Sequence, residues 1–149
     1  MTPTLPSPLA VVCHDAAGAQ LILPWLDLDQ TRVQAWVQGP AAVLWHDLLG
    51  ERGRVASLDD ALDGAALLIT GTSLSQDLEH RARLHALALG VPSVAVLDGW
   101  THYAARFQRD GHRVLPDQIW VTDAEAYTVA QARFPTHDVR LQPNLHQRK

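Results

Sequence analysis

The sequence predicts an α/β fold, a single doubly wound, mostly parallel, Rossmann-like sheet of about six strands, and three observations carry that prediction. Short apolar runs alternate with helix-period segments along the chain, with no block made of strands alone. One stretch, Ala66 to Trp100, reads as a complete strand, helix and strand with its punctuation in place. Small and polar residues recur where the strands should end. Strands joined through a helix lie parallel, so these exits gather at one edge of the sheet, where open α/β sheets hold their ligands.

Residues 1–8 and 146–149 read as tails around one domain spanning 9–145. Leu9 to Cys13 is a buried strand, and His14-Asp15-Ala16-Ala17-Gly18-Ala19 turns it into a helix that reaches Leu26. Arg32 to Gln38 alternates Val33, Ala35 and Val37 with polar neighbours, as a strand near a sheet edge does. Gly39-Pro40 ends it and opens a helix that stops at Gly50, Pro40 being suited to a first helical turn. Val55-Ala56 is a candidate short strand, and Leu58 to Leu62 a helical turn. The apolar run Ala66 to Thr70 has the pattern of a strand buried on both faces. Ser73, with Gln76 three residues on, has the form of a capping box and predicts a helix starting there. Its expected buried stripe is Leu74, Leu78, Ala82, Ala86 and Leu89, with Asp77, Glu79, Arg81 and Arg83 off the stripe. Gly90 and Pro92 end it before the strand Val94 to Leu97. Thr101 to Gln108 is then expected as a short helix, Arg109-Asp110-Gly111 as a turn and Gln118 to Thr122 as a strand. Asp123 caps a helix running to Phe134, and Val139 to Gln142 is the last strand.

Composition narrows the function classes. The chain is 47% hydrophobic and 19% charged, an ordinary globular balance, and its length can bury a core without staples. A net charge of -4, with one basic pair at the end, argues against a nucleic-acid reader. No apolar run is long enough for a transmembrane segment and the N-terminus lacks a signal-peptide layout, so the expected location is cytoplasmic. The lone Cys13 excludes an internal disulfide and a multi-cysteine zinc site. His80 and His85, five apart beside Glu79, do not make the HExxH spacing, so neither a metal nor a cofactor is expected. GxGxxG and GxxxxGK[ST] are both missing, which removes the usual support for NAD or P-loop nucleotide chemistry.

On this fold one crevice gathers His14, Asp15 and Gly18, then Gly39, then Gly71, Thr72 and Ser73, then Asp98 to His102, then Thr122 and Asp123 and finally Asn144. The candidate catalytic groups are His14, Asp15, Glu79, Asp98 and His102. Asp15 has two roles open to it, helix cap or base. His14 suits proton transfer near neutral pH, its alternative being a hydrogen-bonded surface histidine. Asp98 and His102 are four apart and would face each other if that segment began a helix, a carboxylate orienting an imidazole. Glu79, near the start of the central helix, could reach the crevice. Trp100 offers an aromatic face for a sugar or base, or else a lid on the core. Cys13 reads as a small buried residue, because its neighbour His14 should point to the opposite face.

These motifs resemble a known family. The run of strand, Gly71-Thr72-Ser73, helix with early acid, Gly90-Val91-Pro92, strand and polar-aromatic loop is similar to the N-terminal domain of GT-B glycosyltransferases. In particular it is similar to the acceptor-binding half of the enzyme that adds N-acetylglucosamine during peptidoglycan synthesis. HDAAGA (His14 to Ala19), TGT (Thr70 to Thr72), DLE (Asp77 to Glu79), VLDGW (Val96 to Trp100), LPDQIWVTD (Leu115 to Asp123) and Pro143-Asn144 more closely resemble bacterial proteins of surface-polysaccharide type. The resemblance implies that the Gly18 and Gly71 loops contact an acceptor or donor phosphate and that His14 or Asp15 deprotonates an acceptor hydroxyl. A GT-B enzyme holds its nucleotide-sugar donor mainly in a second such domain, which these 149 residues do not supply. The implied ligand is therefore a sugar, sugar phosphate or nucleotide sugar, with a separate donor-binding partner chain completing the site; a homodimer whose crevice holds a metabolite is the other assembly left open. Two other readings stay open: a small isomerase, lyase or hydrolase acting through Asp98, His102, Glu79 and Asp15, and a non-catalytic metabolite-binding module.

Overall fold

The computed structural model describes residues 2–147. Six strands form one sheet, all pairs parallel: β1 (Leu9–Cys13), β2 (Val33–Val37), β3 (Leu67–Thr70), β4 (Ser93–Val96), β7 (Gln118–Val121) and β8 (Asp138–Leu141). A two-stranded antiparallel hairpin, β5 (Gln108–Arg109) and β6 (His112–Arg113), is inserted between β4 and β7. The helices are α1 (Ala16–Ile22), α2 (Gly39–Leu49), α3 (Leu58–Leu62), α4 (Leu78–Leu89) and α5 (Ala124–Arg133). The sheet order is β2-β1-β3-β4-β7-β8, so the chain reverses direction across the sheet between β1 and β3. At such a switch point neighbouring loops diverge to opposite faces and leave a crevice above the strand ends. No helix among the described residues is long and apolar enough to cross a membrane.

Three apolar clusters hold the layers. Leu9, Val11 and Cys13 pack with Ala19 and Ile22 of α1 and Trp45 of α2. Ala10, Val12 and Leu68 pack on the opposite face with Leu62 of α3 and Leu78, Ala82 and Ala86 of α4. Ile119, Val121 and Val139 pack with Phe107 and Phe134, whose rings meet edge to face. Small residues at 82 and 86 bring α4 close to the sheet. The outer edge of β2 is covered where Ala35 N donates to Gly53 O and Val55 N to Ala35 O, a single bridge in place of the expected strand at Val55-Ala56.

Three expectations need correcting. α4 begins at Leu78, five residues after Ser73, although Ser73 Oγ does accept from Gln76 N at 3.2 Å. The carbonyls of Ser73 and Gln76, which would start the helical ladder, accept instead from Arg109 Nη2 at 2.6 and 3.0 Å. Leu74 thus falls outside the helix, and the buried stripe shortens to Leu78, Ala82 and Ala86, Leu89 at the far end of α4 being exposed as well. Glu79 and Arg83, expected off the stripe, are 1% and 2% exposed. Finally, Thr101 to Gln108 is not one helix: only Ala105–Phe107 forms a 3-10 turn, and Gly99 and His102 both have positive φ, which interrupts helical geometry.

Candidate functional site

Above the switch point, β1 ends in His14 and Asp15, and β3 ends in Gly71-Thr72-Ser73. Asp15 occupies the N-cap position of α1, yet its side chain makes no cap hydrogen bond. It pairs instead with the imidazole of His14, Nδ1 to Oδ1 at 2.6 Å. With the proton on Nδ1, that contact leaves Nε2 as an acceptor, and Nε2 has no hydrogen-bond partner among the described residues. A Cβ placed on Gly39 would lie 2.5 Å from Nε2 and 2.9 and 3.0 Å from its two ring neighbours. Three such similar distances describe a point over the flat of the ring, so Gly39 backs the imidazole without covering the in-plane lone pair. Gly39 also has φ +58°, a conformation that favours glycine. Gly39→Ala should therefore displace the His14 ring and cost about 2 kcal/mol, read by denaturant unfolding and by the shift of the His14 ring protons. An unmoved ring would contradict this packing.

Beneath the dyad Glu79, a candidate catalytic group in the sequence, is buried as a bridge between two loops. Glu79 reaches from the first turn of α4 and accepts from Ser73 N (2.6 Å) and His14 N (3.2 Å), tying the β3 loop to the β1 loop. Burial pushes its carboxyl above the ordinary value, and the two amide hydrogen bonds and Arg83 oppose that. Gly71 gives it room, for a Cβ there would stand 2.5 Å from Glu79 Oε2 and 3.0 Å from Cys13 Sγ. Gly18 serves the same close approach, its missing Cβ facing the Gly71 Cα. Cys13 is buried, and burial followed by the Glu79 charge holds its thiol well above the usual range, so it is not poised as a nucleophile.

Two buried arginines complete the floor. Arg83 donates to Thr70 Oγ1 (3.0 Å) and Gly71 O (3.3 Å) and stacks over Phe107; burial lowers it to about 10. Arg106 donates to Asp98 Oδ1 (2.9 Å), Thr72 Oγ1 (3.1 Å) and Thr101 O (3.2 Å). Thr72 in turn donates to Val96 O at 2.9 Å, so its hydroxyl joins β3 to β4. The proposed Asp98–His102 pair does not form: Asp98 pairs with Arg106, and His102 is exposed on a non-helical turn. Trp100 donates Nε1–H to both oxygens of Asp123 (3.1 and 3.2 Å), and Asp123 Oδ1 caps α5 through Ala126 N at 2.7 Å. Asn144 follows β8 in a segment that folds back toward α1, where Pro143 O accepts from Trp25 Nε1 and Leu145 packs on the core.

The strand ends thus unite His14, Asp15, Gly39, Gly71, Ser73 and Glu79 in one group and Thr72, Asp98, Trp100 and Asp123 in an adjoining one. Arg83 and Arg106 were missed. The available signal was the i, i+4 spacing of Glu79 and Arg83 on a helix that carries Ala82 and Ala86 against the sheet. Among the described residues no group of three or more His, Cys, Asp or Glu is placed to hold a metal ion. No family model matches this chain, and no curated protein or solved structure matches it either.

Proposed function

We propose that the chain is a GT-B-like half domain that binds a sugar-type ligand in the crevice above β1 and β3 and supplies the base for transfer to an acceptor hydroxyl. The observation that carries this is Asp15 orienting His14 through Nδ1 and leaving Nε2 without a partner. In the proposed reaction Nε2 takes the proton of the acceptor hydroxyl as its oxygen attacks the sugar carbon of a donor held by a partner chain, and Asp15 stabilises the imidazolium. The diphosphate leaves with the partner's half of the site.

The test has two parts. Unfolding temperatures are measured against simple glycosides, sugar phosphates and nucleotide sugars, where a ligand at 100 times its dissociation constant adds about 2.7 kcal/mol. His14→Gln is then expected to keep binding and a melting temperature within a few degrees of wild type, while abolishing transfer with the donor-binding chain present. If no sugar-class compound stabilises the protein, or if His14→Gln transfers at the wild-type rate, the reading is wrong.

A further inference from the structure

The loop after β4 carries an exposed tryptophan on a braced frame. Trp100 is 52% exposed, yet its indole is held at the edge by both oxygens of Asp123. Its backbone neighbours are fixed as well: Tyr103 donates its hydroxyl to Gly99 O, and Arg106 Nε donates to Thr101 O at 3.2 Å. Arg106 is itself anchored on Asp98 and Thr72. The result is a large apolar face, open to solvent and pre-set in orientation, which lowers the ordering entropy a ligand must supply.

The carboxylates near this loop restrict what that ligand is. Asp98, Asp123 and Glu125 all bear on this corner: after burial, and against Arg106, these three carboxylates help hold the Tyr103 phenol up at about 12. Arg106, which braces this loop, is buried and already paired with Asp98. A phosphate would be repelled here, whereas hydroxyl groups can donate to carboxylates and a ring with an apolar C–H face can lie on the indole.

We infer that Trp100 is a stacking platform for a neutral pyranose ring, with Asp98 and Asp123 accepting from its hydroxyls. This rests on the sugar-binding reading above and names the subsite within it. The probes are the methyl glycosides of glucose and N-acetylglucosamine, with inorganic phosphate and uridine monophosphate as contrasts, added to nitrogen-15-labelled protein. The indole signals of the five tryptophans are followed, that of Trp100 being assigned by its loss in Trp100→Phe. The glycosides should shift the Trp100 signal with dissociation constants on the order of millimolar. Trp100→Ala should weaken them about tenfold without lowering the melting temperature by more than a few degrees. Unchanged affinity in Trp100→Ala, or a Trp100 signal that answers only to the phosphate-bearing probes, overturns the platform. If the glycosides move His14 and leave Trp100 still, the platform falls while the crevice reading stands. If they move neither, the platform falls, and the crevice reading falls with it only when sugar phosphates and nucleotide sugars also fail to stabilise the protein.

Discussion

Glu79→Ala should cost the fold about 3–5 kcal/mol, the largest single effect among the crevice residues, measured as a lowered denaturant midpoint at neutral pH. The side chain is buried, and its removal leaves the Ser73 and His14 amides without an acceptor and the nearby Arg83 guanidinium without its opposing charge. Glu79→Gln keeps the shape but places an NH2 group against one of the two amide donors, so a smaller loss of about 1–3 kcal/mol is expected. The pH dependence has a definite sign. Burial raises the native carboxyl above its ordinary value of 4.5, so between that value and the raised one the folded state holds a proton that the unfolded state has released. Stability from this group is therefore highest at the acid end of that window and declines as pH rises through the native value. The gap between wild type and Glu79→Gln should narrow across the same interval. A gap that widens with pH there would mean the carboxyl is lowered, not raised.

Arg106→Met should cost about 3 kcal/mol by the same measurement. Its guanidinium binds Asp98, the Thr72 hydroxyl and the Thr101 carbonyl, so one substitution unpairs acceptors on the loops after both β3 and β4. The loss is placed at the low end for a buried ion pair because the Asp98 side chain is 28% exposed and can rehydrate. Asp98→Ala in the Arg106→Met background should add little, since the two side chains act as one unit. Full additivity of the two losses would show that the pair is not coupled.

The scaffold was legible because its signals are local. LAVVC, LLIT and SVAV are apolar runs with glycine or polar residues at their exits, and Gly90 stands at φ +75° where the end of α4 requires it. Asp123 caps α5 as its position suggested. What was not legible depends on partners distant in sequence. The sequence lets Glu79 reach the crevice, but its burial and that of Arg83 depend on β1, the β3 loop and Phe107 closing over them. Ser73-x-x-Gln76 has the letters of a helix start, but Arg109, thirty-odd residues on, takes the carbonyls a helix would use. Asp98 and His102 have suitable spacing only in a helix, which the positive φ of both Gly99 and His102 denies them. In the first loop the sequence offers His14 and Asp15 singly, as proton carrier and as helix cap or base, and their pairing through Nδ1 emerges only in the structure, because it depends on the rotamers of both side chains.

The grip of Arg109 on the Ser73 and Gln76 carbonyls sets the outline of the opening itself. One further turn on the front of α4 would carry about 5.4 Å of rod beyond the strand tips and raise a wall beside the dyad. By withholding that turn, a hairpin from elsewhere in the chain keeps the rim beside the dyad low.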